Sequence, residues 1–210
     1  MYRSFVKRAL DILLSAVGTL LLSPLFLLIS CAVKAEDGGP VFFTQKRIGI
    51  HKSTFNILKF RTMRTDTPHD MPTHLLSDPD RWITRVGRLL RRTSLDELPQ
   101  ILQILGGKMS IVGPRPALWN QEDLIEARDL YHANDIKPGL TGWAQINGRD
   151  ELEIAEKARL DGVYARQLLK SSFAGLRMDL VCLFRSVGAT LRSDGYVEGG
   201  TGAKAGEEAR

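Results

Sequence analysis

The sequence predicts a helix-dominated mixed α/β membrane protein, and three observations carry that reading. No charged residue lies between Ile12 and Val33. A stretch rich in β-formers follows, from Val41 to Met63. Beyond Arg81 the chain passes through amphipathic segments separated by Gly and Pro turns. At 210 residues there is length enough for one folded core and a membrane element. The expected organisation is a membrane element over residues 1–35, a cytoplasmic domain over 36–193, and a Gly-rich disordered tail over 194–210.

As a helix, the uncharged run reaches roughly 33 Å, about a bilayer core. Ser23-Pro24 sits near its middle, where proline removes a backbone donor. Arg3, Lys7 and Arg8 precede the run, and Lys34, Lys46, Arg47 and Lys52 follow it. Both flanks therefore read as cytoplasmic. A re-entrant helix that bends at Pro24 and returns to the same face satisfies both. Asp11 has Lys7 and Arg8 as partners one turn back. A second reading stays open: Leu28-Ile29-Ser30-Cys31 resembles a lipoprotein cleavage box, which predicts cleavage before Cys31 and a periplasmic lipoprotein.

Val41–Thr44 and Thr54–Leu58, with Gly49 between them, predict a β-hairpin or a pair of short strands. Thr65–Asp80, with Pro68, Pro72 and Pro79, reads as a loop. Trp82–Arg92 has an apolar face of Trp82, Ile83, Val86, Leu89 and Leu90 and a basic one of Arg81, Arg85, Arg88 and Arg92. Such a helix either lies on an anionic bilayer or packs on a core with its basic side in water. Ser94–Gln100 reads as a helix start, capped either by a Ser94–Glu97 box or by Asp96. Gly106-Gly107 ends that helix. Met109–Val112 predicts a strand running into the rigid Gly113-Pro114-Arg115-Pro116 loop. A helix is expected over Gln121–Ala133, a turn over Lys137–Gly142, and an exposed helix over Glu151–Leu169. A last helix, Leu176–Leu191, carries an apolar stripe of Leu176, Leu180, Leu183, Phe184, Val187 and Leu191.

A net charge of +5 favours an anionic partner: nucleic acid, a lipid surface or a phosphorylated metabolite. Nucleic acid is the weakest of these, because no recognised binding motif is present. Cys31 and Cys182 form no CxxC pattern, and His51, His69, His74 and His132 lack ligand spacing, so no zinc site is indicated.

The chemistry centres on Asp96 and Glu97. Adjacent carboxylates can reach one shared metal ion, although alone such a pair is usually a helix cap. Their surroundings add weight. Lys59 and Arg61 end the β region, Arg91 and Arg92 precede the pair, Arg115 is aimed by flanking prolines, and Arg149 follows Asn147-Gly148. Guanidinium matches phosphate oxygens in bidentate fashion, so this set suits a diphosphate.

These segments resemble the monotopic phosphoglycosyl transferases of bacteria, small-core enzymes that begin glycoconjugate synthesis on polyprenol phosphate. The resemblance runs from about Tyr2 to Leu191. It is carried by Lys7–Asp11, Ser23-Pro24, Phe43–Gly49, Lys59–Met63, Ser94–Gln100, Met109–Pro116 and Pro138–Arg149. It implies a re-entrant helix broken at Ser23-Pro24 and an enzyme on the cytoplasmic face of the bacterial inner membrane. It implies Asp96 as nucleophile toward a UDP-sugar, with UMP leaving, a covalent phosphosugar held on Asp96, and undecaprenyl phosphate as the acceptor. Glu97, with Asp96, matches the carboxylates associated with Mg²⁺. Lys59, Arg91 and Arg115 match phosphate-binding positions, and Asp179 an acidic site residue. Gln145, Asn147 and Arg149 match the nucleotide-side loop. The chain departs from the family pattern at Lys108 and near Lys52.

Overall fold

The computed structural model describes residues 2–67, 81–148 and 152–192. Most of the expected Pro-rich loop, Arg149 and the tail from Asp194 therefore lie outside the described residues. A π-helical turn, Tyr2–Val6, leads into α1, a helix of 31 residues from Lys7 to Asp37. Its backbone stays helical through Pro24. Proline leaves the carbonyl four residues back without its amide partner. Here that carbonyl is Leu20's, and the Ser23 hydroxyl donates to it at 2.8 Å.

One stripe of α1 packs on the rest of the chain. Lys7, Asp11, Ser15, Ile29 and Val33 are buried along it, and Leu25 and Phe26 pack beside them. The opposite face leaves Leu13, Leu20, Leu21, Leu27 and Leu28 exposed. The helix is long and apolar enough to cross a membrane. An outward apolar surface of this size is what a bilayer would cover.

The charged end of α1 is wired differently from the expected Asp11 pairing with Lys7 or Arg8. Asp11 accepts the Ile111 amide at 3.0 Å, and Lys7 bonds Asp179 at 2.7 Å. Arg8 donates to the carbonyls of Ile104 and Leu105. The last carbonyls of a helix lack amide partners and accept favourably from a cation.

The predicted hairpin is present. β1 (Phe42–Ile48) pairs antiparallel with β2 (Thr54–Phe60), with Phe42 opposite Phe60. Phe60 stacks on Phe42 and meets Phe26 at a tilt of 59°, each centroid 5.5 Å away. α2 (Arg85–Thr93) begins at Thr84, whose hydroxyl accepts the Gly87 amide. It packs Val86 and Leu90 against Ile29 and Val33 of α1, while Leu89 stays half exposed beside the solvent-facing Arg85, Arg88 and Arg92. At Gly87 the helix presses on the Thr62 carbonyl, with no room for a Cβ. Gly87→Ala should therefore cost about 2 kcal/mol, read as a Tm lowered by roughly 4–8 °C. An unchanged Tm would show that the two segments can part freely.

Neither expected cap forms between α2 and the next helix. Ser94 adopts a left-handed conformation (φ 57°) and ends α2, its amide reaching Arg91 O and Leu90 O. Leu95–Glu97 is a single 3-10 turn, and α3 (Gln100–Leu105) starts after Pro99. Proline has no amide to donate, and at a helix start that amide would have no partner in any case.

β3 (Ser110–Val112) runs parallel to β4 (Gly139–Thr141), so the expected turn over Lys137–Gly142 contains a strand. Gly113 and Gly139 let the two backbones touch: a Cβ on either would strike the other's main chain. α4 (Glu122–Asp129) fills the first part of the helix expected over Gln121–Ala133, and Ala133 opens a separate 3-10 turn, Ala133–Asp135.

α5 (Ile154–Lys170) corrects the reading of an exposed helix. Ala158, Leu160, Asp161, Gly162, Tyr164, Ala165 and Leu168 are all buried along it. Small residues permit the close approach, as where Gly162 meets Tyr131. Asp161 is admitted because Arg128 of α4 binds it twice, at 2.9 and 2.6 Å.

α6 (Ser172–Arg192) also turns differently from expectation. Leu176 packs on the core, but Leu180, Phe184 and Val187 are exposed. Among its described side chains the buried positions are Gly175, Asp179 and Cys182. A polar anchor, Asp179, outweighs the apolar stripe in setting the helix's rotation.

Candidate active site

Three segments converge on the Asp96–Glu97 turn. β2 supplies Lys59, the C-terminal end of α2 supplies Arg91, and the loop after β3 supplies Arg115. Glu97 is gripped on both oxygens. Lys59 Nζ lies 2.8 Å from Oε1, and Arg115 donates to Oε1 at 2.5 Å and Oε2 at 3.1 Å. This is the fork geometry that makes Arg–carboxylate pairs strong. Asp96, on the same turn, is buried and faces Lys59 at 3.8 Å. Arg91 donates from Nε to Thr62 Oγ1 at 2.9 Å, and its charge is felt at Asp96.

The two carboxylates are driven apart electrostatically. Burial pushes the Asp96 carboxyl above its ordinary range; Lys59 opposes the rise, and the Glu97 charge adds to it. Burial would raise Glu97 as well, but Arg115 and Lys59 outweigh it and hold that carboxyl well below its ordinary range. One carboxylate is thus a fixed anion, and its neighbour is unusually basic. Environments that separate a pair in this way assign the two members different roles.

A further cation belongs to the cluster, and the sequence reading did not single it out. Arg47 lies on the hairpin face that carries Lys59, because Phe43 pairs with Lys59 and Arg47 stands four residues further along β1. Burial and, after it, the Arg115 charge lower its guanidinium to about 10 against the opposing pull of Glu97, which leaves it protonated at neutral pH. The signal was the strand period: positions 43, 45 and 47 share one face.

The other expected site residues lie apart from this cage. Gln145 donates to Leu140 O, and Asn147 donates to Trp143 O and accepts from Arg185. Both brace the 3-10 turn Gln145–Asn147. Gln145 adjoins Gly142, which packs on Gly113, two residues before Arg115. Asp179 is enclosed by Tyr2, Lys7 and Tyr164, at 2.6, 2.7 and 2.6 Å. The Tyr164 hydroxyl also sits 3.1 Å from Val112 O, at the root of the Arg115 loop. Asp179 is therefore saturated by its own chain and buttresses that loop from behind. Arg149 is outside the described residues.

Asp96 and Glu97 offer an all-oxygen donor pair, which suits a hard cation completed by substrate phosphates and water. Among the described residues no third His, Cys, Asp or Glu joins them as a metal-binding group.

A buried carboxylate pair inside a cage of cations, behind a long apolar helix, is the arrangement of an enzyme that handles anionic groups at a membrane. The chain belongs to the bacterial sugar transferase family, whose profile matches residues 2–193. It is similar to the exopolysaccharide production protein ExoY of Rhizobium meliloti, with 38% identity over 203 residues, 90% of this chain and 87% of that protein. It is also similar to the UDP-glucose:undecaprenyl-phosphate glucose-1-phosphate transferases of Escherichia coli and Caulobacter vibrioides. The first is 46% identical over 157 residues, covering 72% of this chain and 33% of the relative. The second is 47% identical over 146 residues, covering 68% and 54%.

Proposed function

We propose that this chain transfers a sugar 1-phosphate from a UDP-sugar to a polyprenol phosphate, releasing UMP, through a phosphosugar held covalently on Asp96. The observation that carries the reading is the split between the two carboxylates. Glu97 is neutralised by Lys59 and Arg115, while Asp96 beside it is basic and close to the same cations. The named activity of the Escherichia coli and Caulobacter vibrioides relatives supports the substrate classes.

In the first half-reaction an Asp96 oxygen attacks the phosphorus next to the sugar. The bond from that phosphorus to the bridging oxygen breaks, and UMP leaves with the electron pair. In the second, an oxygen of the lipid phosphate attacks the same phosphorus. The Asp96 oxygen–phosphorus bond breaks, the carboxylate is regenerated, and a lipid diphosphate sugar departs. Lys59, Arg91 and Arg115 offset the repulsion between carboxylate and diphosphate. Mg²⁺ held by Asp96 and Glu97 would add further charge neutralisation on phosphate oxygens. A covalent intermediate lets one site accept a soluble donor and then a lipid acceptor. For the acceptor, the site must stand at headgroup depth on the cytoplasmic face of the inner membrane. A re-entrant α1, with both ends cytoplasmic, would set that depth.

The test is UMP release by the protein in nanodiscs, with undecaprenyl phosphate, Mg²⁺ and a panel of UDP-sugars. UMP from one donor, lost on chelation, is the expected result. Release of the free sugar with UDP instead would refute phosphosugar transfer.

A further inference from the structure

Arg47 is placed where a neutral residue would serve the fold better. Its Nη2 donates to Gln45 Oε1 at 2.7 Å and its Nη1 to the Pro116 carbonyl at 3.1 Å. Its Nε is buried with no hydrogen-bond partner. A buried donor without an acceptor is costly, and so is a guanidinium beside a second one. The strand does not need this side chain to stay in place. β1 is paired to β2 over seven residues, and its end is fastened by the Ile48 amide on Ala117 O at 3.0 Å and by a bridge from Arg47 to Leu118. What the side chain adds is a grip on the carbonyl next to Arg115, the residue that forks onto Glu97. Arg47, Lys59, Arg91 and Arg115 set four cations against two carboxylates, and the excess suits a diphosphate.

We propose that Arg47 is a positioning residue: by holding the Pro116 carbonyl it fixes the reach of Arg115 to Glu97, and so sets the site's hold on an incoming diphosphate. The proposal rests on the phosphate-handling reading of the site. Arg47 acts through Arg115 and not on the diphosphate itself, because its two Nη atoms are taken by Gln45 and Pro116 and its Nε is buried. A lysine keeps the charge but cannot span Gln45 and Pro116 with one ammonium.

The experiment is a double-mutant cycle in nanodiscs with Arg47→Lys and Arg115→Ala, reading kcat and KM for the UDP-sugar that supports turnover. Arg47→Lys alone should lower kcat/KM about 10–100-fold, the range seen when a supporting partner is lost. In the Arg115→Ala background the further loss should shrink to under about 3-fold, because the residue through which Arg47 acts is gone. Losses that multiply in full, or no loss from Arg47→Lys, would overturn the proposal. A second readout does not depend on turnover. Pyrophosphate should raise the Tm of the wild type more than that of Arg47→Lys, and an equal rise in both would overturn it. Wild-type protein that turns over no donor, yet shows this unequal rise, overturns the transferase reading and keeps the role of Arg47. Should Arg47→Lys not fold, Gln45→Met, which only loosens Arg47, decides by the same criteria.

Discussion

Asp96→Asn should abolish turnover and make the protein more stable. The amide cannot form the acyl-phosphate bond to the phosphosugar, so UMP release should fall by at least about 10³-fold, as when an enzyme loses its nucleophile. The stability effect follows from the direction of the Asp96 shift. A carboxyl whose folded value is raised above 3.8 contributes stability at low pH, and that contribution is lost as pH rises through the raised value. At neutral pH the wild type therefore carries a buried charge that the asparagine variant lacks. If the relief is about 1 kcal/mol, Tm should rise by roughly 2–4 °C at pH 7 and the difference should vanish on acidification. The wild-type rate should also fall on acidification at a higher pH than an ordinary aspartate would dictate, since attack needs the ionised form. Thermal unfolding and a pH–rate profile in the same nanodiscs check both parts. An asparagine variant that releases UMP at the wild-type rate would remove Asp96 as nucleophile; one less stable than wild type at pH 7 would mean the local cations already compensate its charge.

Glu97→Gln should act in the opposite sense. It keeps the shape and removes the anion that Lys59 and Arg115 share, leaving Lys59, Arg91 and Arg115 around Asp96 alone. Breaking a buried ion pair from one side costs about 3–5 kcal/mol; Arg115 is a third exposed, so about 2–3 kcal/mol is expected here. Glu97 has a folded value well below 4.5, so its contribution is present above 4.5 and is lost only as pH falls through the folded value. The difference between variant and wild type should thus hold steady from pH 6 to 8. It should narrow in strong acid. Denaturant unfolding at pH 7 measures it directly. A variant as stable as wild type would show that Arg115 and Lys59 do not depend on this carboxylate. Activity should fall as well, because Arg115 loses the partner that aims it.

Much of the site could be read from the chain because local rules fixed it. Gly113–Pro116 holds Arg115 rigidly, and Ser94–Gln100 keeps Asp96 and Glu97 on one short turn. Lys59 was legible through its place near the end of a hairpin whose strands follow a clear period. The same period would have yielded Arg47, had it been followed across the ladder from Lys59 to Phe43. What failed was decided by partners distant in sequence. The rotation of α6 is set by Asp179, whose partners Tyr2 and Lys7 lie more than 170 residues away. α5 looked exposed because its alanines and glycine give a weak apolar signal, yet small side chains are what let a helix enter a crowded core. Asp11 read as a local partner of Lys7 or Arg8, but β3 claims Asp11, α3 claims Arg8 and Asp179 claims Lys7.

The docking of α1 has a consequence for anyone seeking a water-soluble version of this transferase. Deleting residues up to 37 would do more than remove a greasy handle. It would strip the Ile111 amide of Asp11, leave Asp179 without Lys7 and Tyr2, free the helix-end carbonyls bound by Arg8, and uncover Phe60 and Leu90 beneath Ile29 and Val33. The remainder would carry a raw apolar scar and an orphaned anion two bonds removed from the Arg115 loop, through Tyr164 and Val112. Solubility is better sought by recolouring the outward leucines, Leu13, Leu20, Leu21, Leu27 and Leu28, with polar side chains and keeping the inward seam as it stands.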